Sequence, residues 1–184
     1  NYLNWTVTSE RGCESRGRPT YCSPKAFDAP ALDNLYRNNG DGTFTVITQP
    51  SGIGSAFGNG MGVASADFNN DGLPDIFVTN DLMVDQLWLN LGGLRFREVA
   101  KQWGVAVDDN GMAKAGMGVV TPDIDNDGDA DLLVVNFEGE TDSLYRNEGG
   151  YFVDVTARAG IAAATRKRTR FGVVMADFNN DGVL

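Results

Sequence analysis

The sequence predicts an all-β fold assembled from repeated four-stranded antiparallel units, and three observations carry that prediction. An acidic nine-residue loop recurs, beginning at Asp67, Asp123 and Asp177, with spacings of 56 and then 54 residues. Short apolar runs follow the two complete copies, Ile76-Phe77-Val78 and Leu132-Leu133-Val134-Val135, and their length and β-branching suit buried strands. A hairpin-like unit recurs in step with the loops, over 33–47, 85–99 and 142–155. Self-similarity at a fixed period is the mark of a repeat architecture.

The clearest loop is Asp123-Ile124-Asp125-Asn126-Asp127-Gly128-Asp129-Ala130-Asp131. Carboxylates packed this densely repel one another in a compact turn, so a stable fold needs a cation to offset them. All-oxygen ligation points to a hard ion, and a flexible cage of carboxylates plus a backbone carbonyl suits calcium better than octahedral, water-keeping magnesium. The first copy, Asp67-Phe68-Asn69-Asn70-Asp71-Gly72-Leu73-Pro74-Asp75, fills every ligand position if Asn69 donates its amide oxygen. The third, Asp177 to Leu184, stops one residue before its ninth position. The candidate side-chain ligands, at loop positions one, three, five and nine, are therefore Asp67, Asn69, Asp71 and Asp75, then Asp123, Asp125, Asp127 and Asp131, then Asp177, Asn179 and Asp181. At position seven, Leu73 and Asp129 are expected to offer backbone carbonyls, and Gly72 and Gly128 permit the sharp turn. A metal-free hairpin turn explains Asp-Gly but gives no use to acids at alternating positions. An EF-hand is excluded, because its position-twelve Glu is replaced by Val78 and Val134, inside apolar runs. The loop therefore joins two strands.

Taken in order, Asn1 to Trp5 reads as the tail of a strand, and 6–31 as an irregular polar insertion holding both cysteines. Cys13 and Cys22 lie nine residues apart and read as a local disulfide, which favours an oxidising compartment; with no histidine and no further cysteine, a zinc site is the weaker alternative. The stretch from Asp33 to Ile47 holds two alternating runs around Asn-Gly-Asp-Gly, a β-hairpin. The second repeat offers four strands at roughly 61–67, 73–80, 85–90 and 94–100, with the calcium loop between the first two. Four-stranded antiparallel units at this spacing are β-propeller blades, whereas the nonapeptide calcium solenoid has a far shorter period. Glycine-rich connectors, Gly52 to Gly62 and Gly111 to Gly118, suit innermost strands crowded round a central channel. The blades are expected at 1–56 (partial), 57–112, 113–168 and 169–184 (the start of the next), about three in all. The run Gly160 to Ala164, followed by Arg166-Lys167-Arg168-Thr169-Arg170, is expected to be a solvated connector rather than a helix or a nucleic-acid patch, since no aromatics interleave its cations.

Composition fits this reading. The chain has 184 residues, 42% hydrophobic and 22% charged, with a net charge of −10. Ten of its 25 acids sit in the three loops, so the acidity belongs to the loops and calls for no nucleic-acid or acidic-tail account. The absence of histidine removes Ser-His-Asp, Cys-His and His-metal chemistry. No apolar run is long enough to span a membrane.

The segment Phe171-Gly172-Val173-Val174-Met175-Ala176-Asp177-Phe178-Asn179-Asn180-Asp181-Gly182 and its two partners resemble the FG-GAP, or VCBS-like, repeats of integrin-alpha-like propellers. Tyr21 to Lys25, the Leu35 to Phe44 hairpin, Ala115 to Gly118 and Asn136 to Thr141 are similar to the cartilage acidic protein-like, ASPIC/UnbV-type family. The resemblance implies a seven-bladed, calcium-stabilised, extracellular propeller. Two complete loops are too few to close a ring, so the sequence is expected to be part of a longer protein or to borrow strands from neighbouring copies. The expected role is non-enzymatic: a secreted, cell-surface or periplasmic calcium-binding repeat protein serving adhesion, structure or assembly, with an extracellular protein or glycan as partner. The alternative is the propeller of a carbohydrate-active enzyme such as a polysaccharide lyase, in which channel acids, Lys or Arg would move protons.

Overall fold

The computed structural model describes residues 2–182 and 184, and its chain is all-β apart from short helical turns. Asn1, at the head of the expected strand tail, and Val183, at position seven of the third loop, lie outside the described residues. In chain order come β1 (Cys13–Ser15), β2 (Arg18–Thr20), β3 (Tyr36–Asn38), β4 (Phe44–Val46) and the turn α1 (Thr48–Ser51). Then follow β5 (Gly60–Ala66), β6 (Asp75–Asn80), β7 (Gln86–Asn90), β8 (Phe96–Glu98), β9 (Gly116–Val120), β10 (Leu132–Asn136), β11 (Ser143–Asn147), β12 (Phe152–Asp154) and α2 (Ile161–Thr165).

Strands β5 to β8 form one four-stranded antiparallel sheet in sequential order, and β9 to β12 form a second. Each is a meander with its acidic loop between the first and second strands, the arrangement of propeller blades. The outer hairpin β3–β4 pairs by itself, and its register, Tyr36 opposite Val46, matches the equivalent pairs of β7–β8 and β11–β12.

The main core lies between the two four-stranded sheets. Phe77, Leu87 and Leu89 of the first meet Leu132, Val134, Tyr145 and Phe152 of the second, with Phe68, Trp103 and Val105 among them. The alternation of strand side chains explains this, since one face of β6 and β7 carries these residues. Trp88 and Val78 point the other way and join Ile53, Leu35 and Phe96 in a smaller cluster. Innermost strands approach closely where side chains are absent. A Cβ on Gly62 would lie 3.1 Å from Gly118 Cα, and one on Gly116 would lie 2.9 Å from Thr79 Cβ.

Three expectations need correction. The insertion is not wholly irregular, because Cys13 pairs opposite Thr20 in the β1–β2 hairpin and the Cys13–Cys22 disulfide closes just beyond it. Residues 2–5 carry no strand; Leu3 makes an isolated bridge to Pro30, and Asn4 donates from its main chain to Ala29 O at 2.9 Å, so this segment pairs with the insertion's return rather than with a sheet. The 160–170 region is only in part a solvated connector: 161–165 is the helix α2, and while Lys167 and Arg168 are exposed, two of the cations after the helix are engaged. Arg166 donates through Nε to Gly139 O at 3.0 Å, and Arg170 pairs with the Asp142 carboxylate. The small, apolar Ile-Ala-Ala-Ala run has good helix formers, which the emphasis on charge outweighed.

Candidate metal centres

The three acidic loops share one backbone conformation. The position-one carboxylate holds it: Gly72 N–H donates to Asp67 Oδ2 at 2.7 Å, Gly128 N–H to Asp123 Oδ2 at 3.0 Å, and Gly182 N–H to Asp177 Oδ2 at 2.7 Å. Position six is glycine with φ of 85°, 95° and 85°, as the turn requires. Position four is asparagine in all three, Asn70, Asn126 and Asn180, at φ of 57°, 58° and 56°. Sequence reasoning passed over these asparagines, although their recurrence at one position and the tolerance of Asn for left-handed backbone were readable.

Position five caps the turn, with Asp71 Oδ1 accepting from Leu73 N–H at 2.9 Å and Asp127 Oδ1 from Asp129 N–H at 2.8 Å. Position nine fixes the loop to its sheet. Asp75 and Asp131 are wholly buried, and each carboxylate ties its own loop to the third strand of its sheet. Asp75 accepts from Phe68 N–H at 3.0 Å and Asn90 N–H at 2.7 Å; Asp131 accepts from Ile124 N–H and Asn147 N–H, both at 2.7 Å. Burial pushes both carboxyl groups up, the backbone donors pull them down, and neighbouring loop acids push them up again. A cation among these oxygens would relieve both the burial cost and the mutual repulsion.

The second loop brings a donor set together. One oxygen each from Asp123, Asp125 and Asp131 lies within 4.8 Å of the others. Calcium–oxygen distances of about 2.3–2.6 Å put ligands on one ion at most about 5 Å apart, so the three fit a shared hard cation. In the first and third loops position three is an amide. Asn69 Oδ1 accepts from Asp71 N–H at 3.1 Å and its Nδ2 donates to Asp71 Oδ2 at 2.8 Å; Asn179 and Asp181 repeat the pattern. An amide oxygen keeps a second lone pair for a metal. Asn179 and Asp181 are exposed and Asp177 is half-buried, and among the described residues no strand flanks their loop.

Two features of the site went unread in the sequence. Asp129, expected only as a carbonyl donor, also accepts through its side chain from Asn70 Nδ2 of the neighbouring loop. Asn147 Nδ2 donates to Phe68 O at 2.9 Å and Ala130 O at 3.2 Å, joining both loops. A signal existed in the recurring Leu-aromatic-x-Asn of Leu35 to Asn38, Leu87 to Asn90 and Leu144 to Asn147.

A meander of four antiparallel strands, repeated, with a carboxylate-rich loop fixed by a buried Asp at each inner turn, defines a loop-bearing β-propeller-type repeat protein. The FG-GAP-like repeat family model matches residues 26–78, 67–134 and 123–184, each window running through an acidic loop, and the chain belongs to that family. It is 32% identical over 159 residues to cartilage acidic protein 1 of Homo sapiens, covering 82% of this chain and 23% of that protein. It is 35% identical over 105 residues to cartilage acidic protein 1 of Xenopus tropicalis, covering 55% and 15%, and 30% identical over 159 residues to the Mus musculus protein, covering 82% and 24%. The chain thus spans less than a quarter of the length of these relatives.

Proposed function

We propose that this chain is part of an extracellular, calcium-stabilised β-propeller whose role is structural or adhesive rather than catalytic. The observation that carries this reading is the carboxylate triad of Asp123, Asp125 and Asp131 at a strand–strand turn. Its ligands are Asp123, Asp125, Asp127 and Asp131 with the Asp129 carbonyl. Asp67, Asn69, Asp71 and Asp75 with the Leu73 carbonyl form the first site, and Asp177, Asn179 and Asp181 begin the third. The blades divide at 56/57, 112/113 and 168/169. Bound calcium fixes each inner hairpin and lets an acidic chain pack. The disulfide between Cys13 and Cys22, and the relatives named as cartilage acidic protein 1, support an extracellular setting. Among the described residues no helix is long and apolar enough to cross a membrane.

The enzymatic alternative would draw support from a raised-pKa acid in an open cleft. Asp85, whose carboxyl burial pushes well above the usual range, instead accepts from Asn80 N–H at 2.8 Å, a structural task. Terbium luminescence together with thermal melts in calcium and in chelator tests the reading. Sensitised emission and a melting temperature raised by calcium are expected; a melting temperature indifferent to chelator overturns it.

A further inference from the structure

The connector between β8 and β9 holds a reactive pair whose side chain the fold leaves unheld. In asparagine followed by glycine, the main-chain nitrogen of the second residue readily attacks the side-chain amide of the first, because no side chain shields that nitrogen. The chain has three such pairs, Asn39-Gly40, Asn59-Gly60 and Asn110-Gly111, and the fold treats them differently. Asn59 is 3% exposed, and its Nδ2 donates to Asp81 O at 3.0 Å. Asn39 lies in the exposed β3–β4 turn, but both ends of its amide are held: Nδ2 donates to Thr43 Oγ1 at 2.9 Å, and Oδ1 accepts from Thr45 Oγ1 at 3.1 Å. Asn110 is exposed, and among the described residues nothing hydrogen-bonds its side chain. Its main-chain N–H donates to Asp108 Oδ1 at 3.0 Å, so Asp108 shapes the turn and leaves the Asn110 amide out of it.

We propose that Asn110 is a site of spontaneous deamidation, with water as the co-reactant. Gly111 N attacks Asn110 Cγ, the new N–C bond closes a cyclic imide, and the side-chain nitrogen leaves as ammonia with the proton that Gly111 N gives up. Water then opens the ring at either carbonyl, yielding aspartate or isoaspartate, so the net exchange is NH2 for OH. A Cβ built on Gly111 would meet nothing within 4 Å, so the ring has room to form. Gly111 N–H donates to Asp108 O at 2.8 Å, and this bond must open first; it lies within one exposed turn, where local openings cost least. The connector joins two complete four-stranded sheets, so its exposure is that of an intact repeat. The product sets a third carboxylate beside Asp108 and Asp109, and the isoaspartyl form adds a main-chain carbon ahead of Lys114, whose ammonium donates to Ser143 Oγ of β11 at 2.9 Å. This goes beyond the calcium reading and does not rest on it.

The test is peptide mapping by mass spectrometry of the folded 184-residue chain, aged in mildly alkaline heavy-oxygen water, which labels each residue that has passed through the imide. A side-chain hydrogen bond that must break first lowers the reactive population by about two- to tenfold, so Asn110 should react at least several-fold faster than Asn39. Asn59 should stay intact while the chain is folded. In denaturant the three should converge, since each is followed by glycine. Asn110→Gln, whose longer side chain closes the ring poorly, should remove the label from that peptide and so separate Asn110 from Asp108 and Asp109 as its source. Labelling of the folded chain that is as fast at Asn39 as at Asn110, an Asn110 that stays unlabelled while the denatured chain reacts, or a label that persists in Asn110→Gln overturns the proposal.

Discussion

Asn70 of the first acidic loop donates through Nδ2 to Asp129 of the second at 2.5 Å, a side-chain bond across 59 residues that joins neighbouring sheets at their loop ends. Beneath it, Asn147 reaches the main chains of both loops. The loops are therefore coupled to one another as well as each to its own sheet. The two bonds differ in burial, and burial decides what their loss costs. Asn147→Ala leaves the enclosed Phe68 carbonyl without its donor and should destabilise the chain by about 1–3 kcal/mol. Asn70→Ala exposes its partner to water and should cost about 0.5–1 kcal/mol. Urea unfolding of both variants at fixed calcium checks the ordering.

Calcium should stabilise by mass action. Each site that binds only the folded chain adds about 2.7 kcal/mol when free calcium is a hundredfold above its dissociation constant. Asp125→Asn, which puts at loop position three the amide that Asn69 supplies in the first loop, removes one charge from the second cage, and should lower the calcium-induced rise in melting temperature while leaving the first loop's share intact. Isothermal titration of wild type and variant should show one class of site weakened.

Much of this was legible because spacing alone carries it. Asp67, Asp123 and Asp177 announced the loops, Val78 and Val134 excluded helices, and the strands fall within two or three residues of expectation at β5, β6, β7 and β8. What escaped was long-range. No pattern within a loop shows that Asn70 will meet Asp129, or that Asn147 will reach Phe68, since those partners are set by how sheets stack. The helix α2 escaped for a local reason, its charged flank drawing attention from its alanines.

The close approach of innermost strands predicts an intolerance of added bulk. Thr79 Oγ1 accepts from Gly62 N–H at 3.0 Å, and a Cβ on Gly62 would lie 2.7 Å from that oxygen and 3.1 Å from Gly118 Cα. Gly62→Ala must push β5 from β9 or displace Thr79, and should cost about 1–3 kcal/mol. Gly111→Ala probes a different effect, because φ there is 73° with open space around it, so any loss is backbone strain alone. Thermal melts of the two variants separate crowding from strain.

Asp85 makes the stability of the fold depend on pH. Burial pushes its carboxyl well above the usual range, with Asn80 N–H and the Lys114 ammonium pulling the other way. Lys114 is shared, lying 3.8 Å from Asp108 and donating to Thr141 and Ser143, which limits what it gives to Asp85. An acid whose folded pKa exceeds its unfolded value of about 3.9 binds more protons in the native state, so its contribution to stability falls as pH rises from about 4 towards the folded value. Asp85→Asn keeps an acceptor for Asn80 N–H and cannot ionise. The variant should therefore gain on wild type as pH rises, by at most about 1.4 kcal/mol per pH unit inside that window. Calcium loss from the loops at low pH affects both chains alike and cancels in the difference. Paired melts from pH 4 to neutrality should show the gap widening with pH; a gap that is flat or shrinks would mean that Asp85 is ionised throughout, held by Lys114 despite its burial.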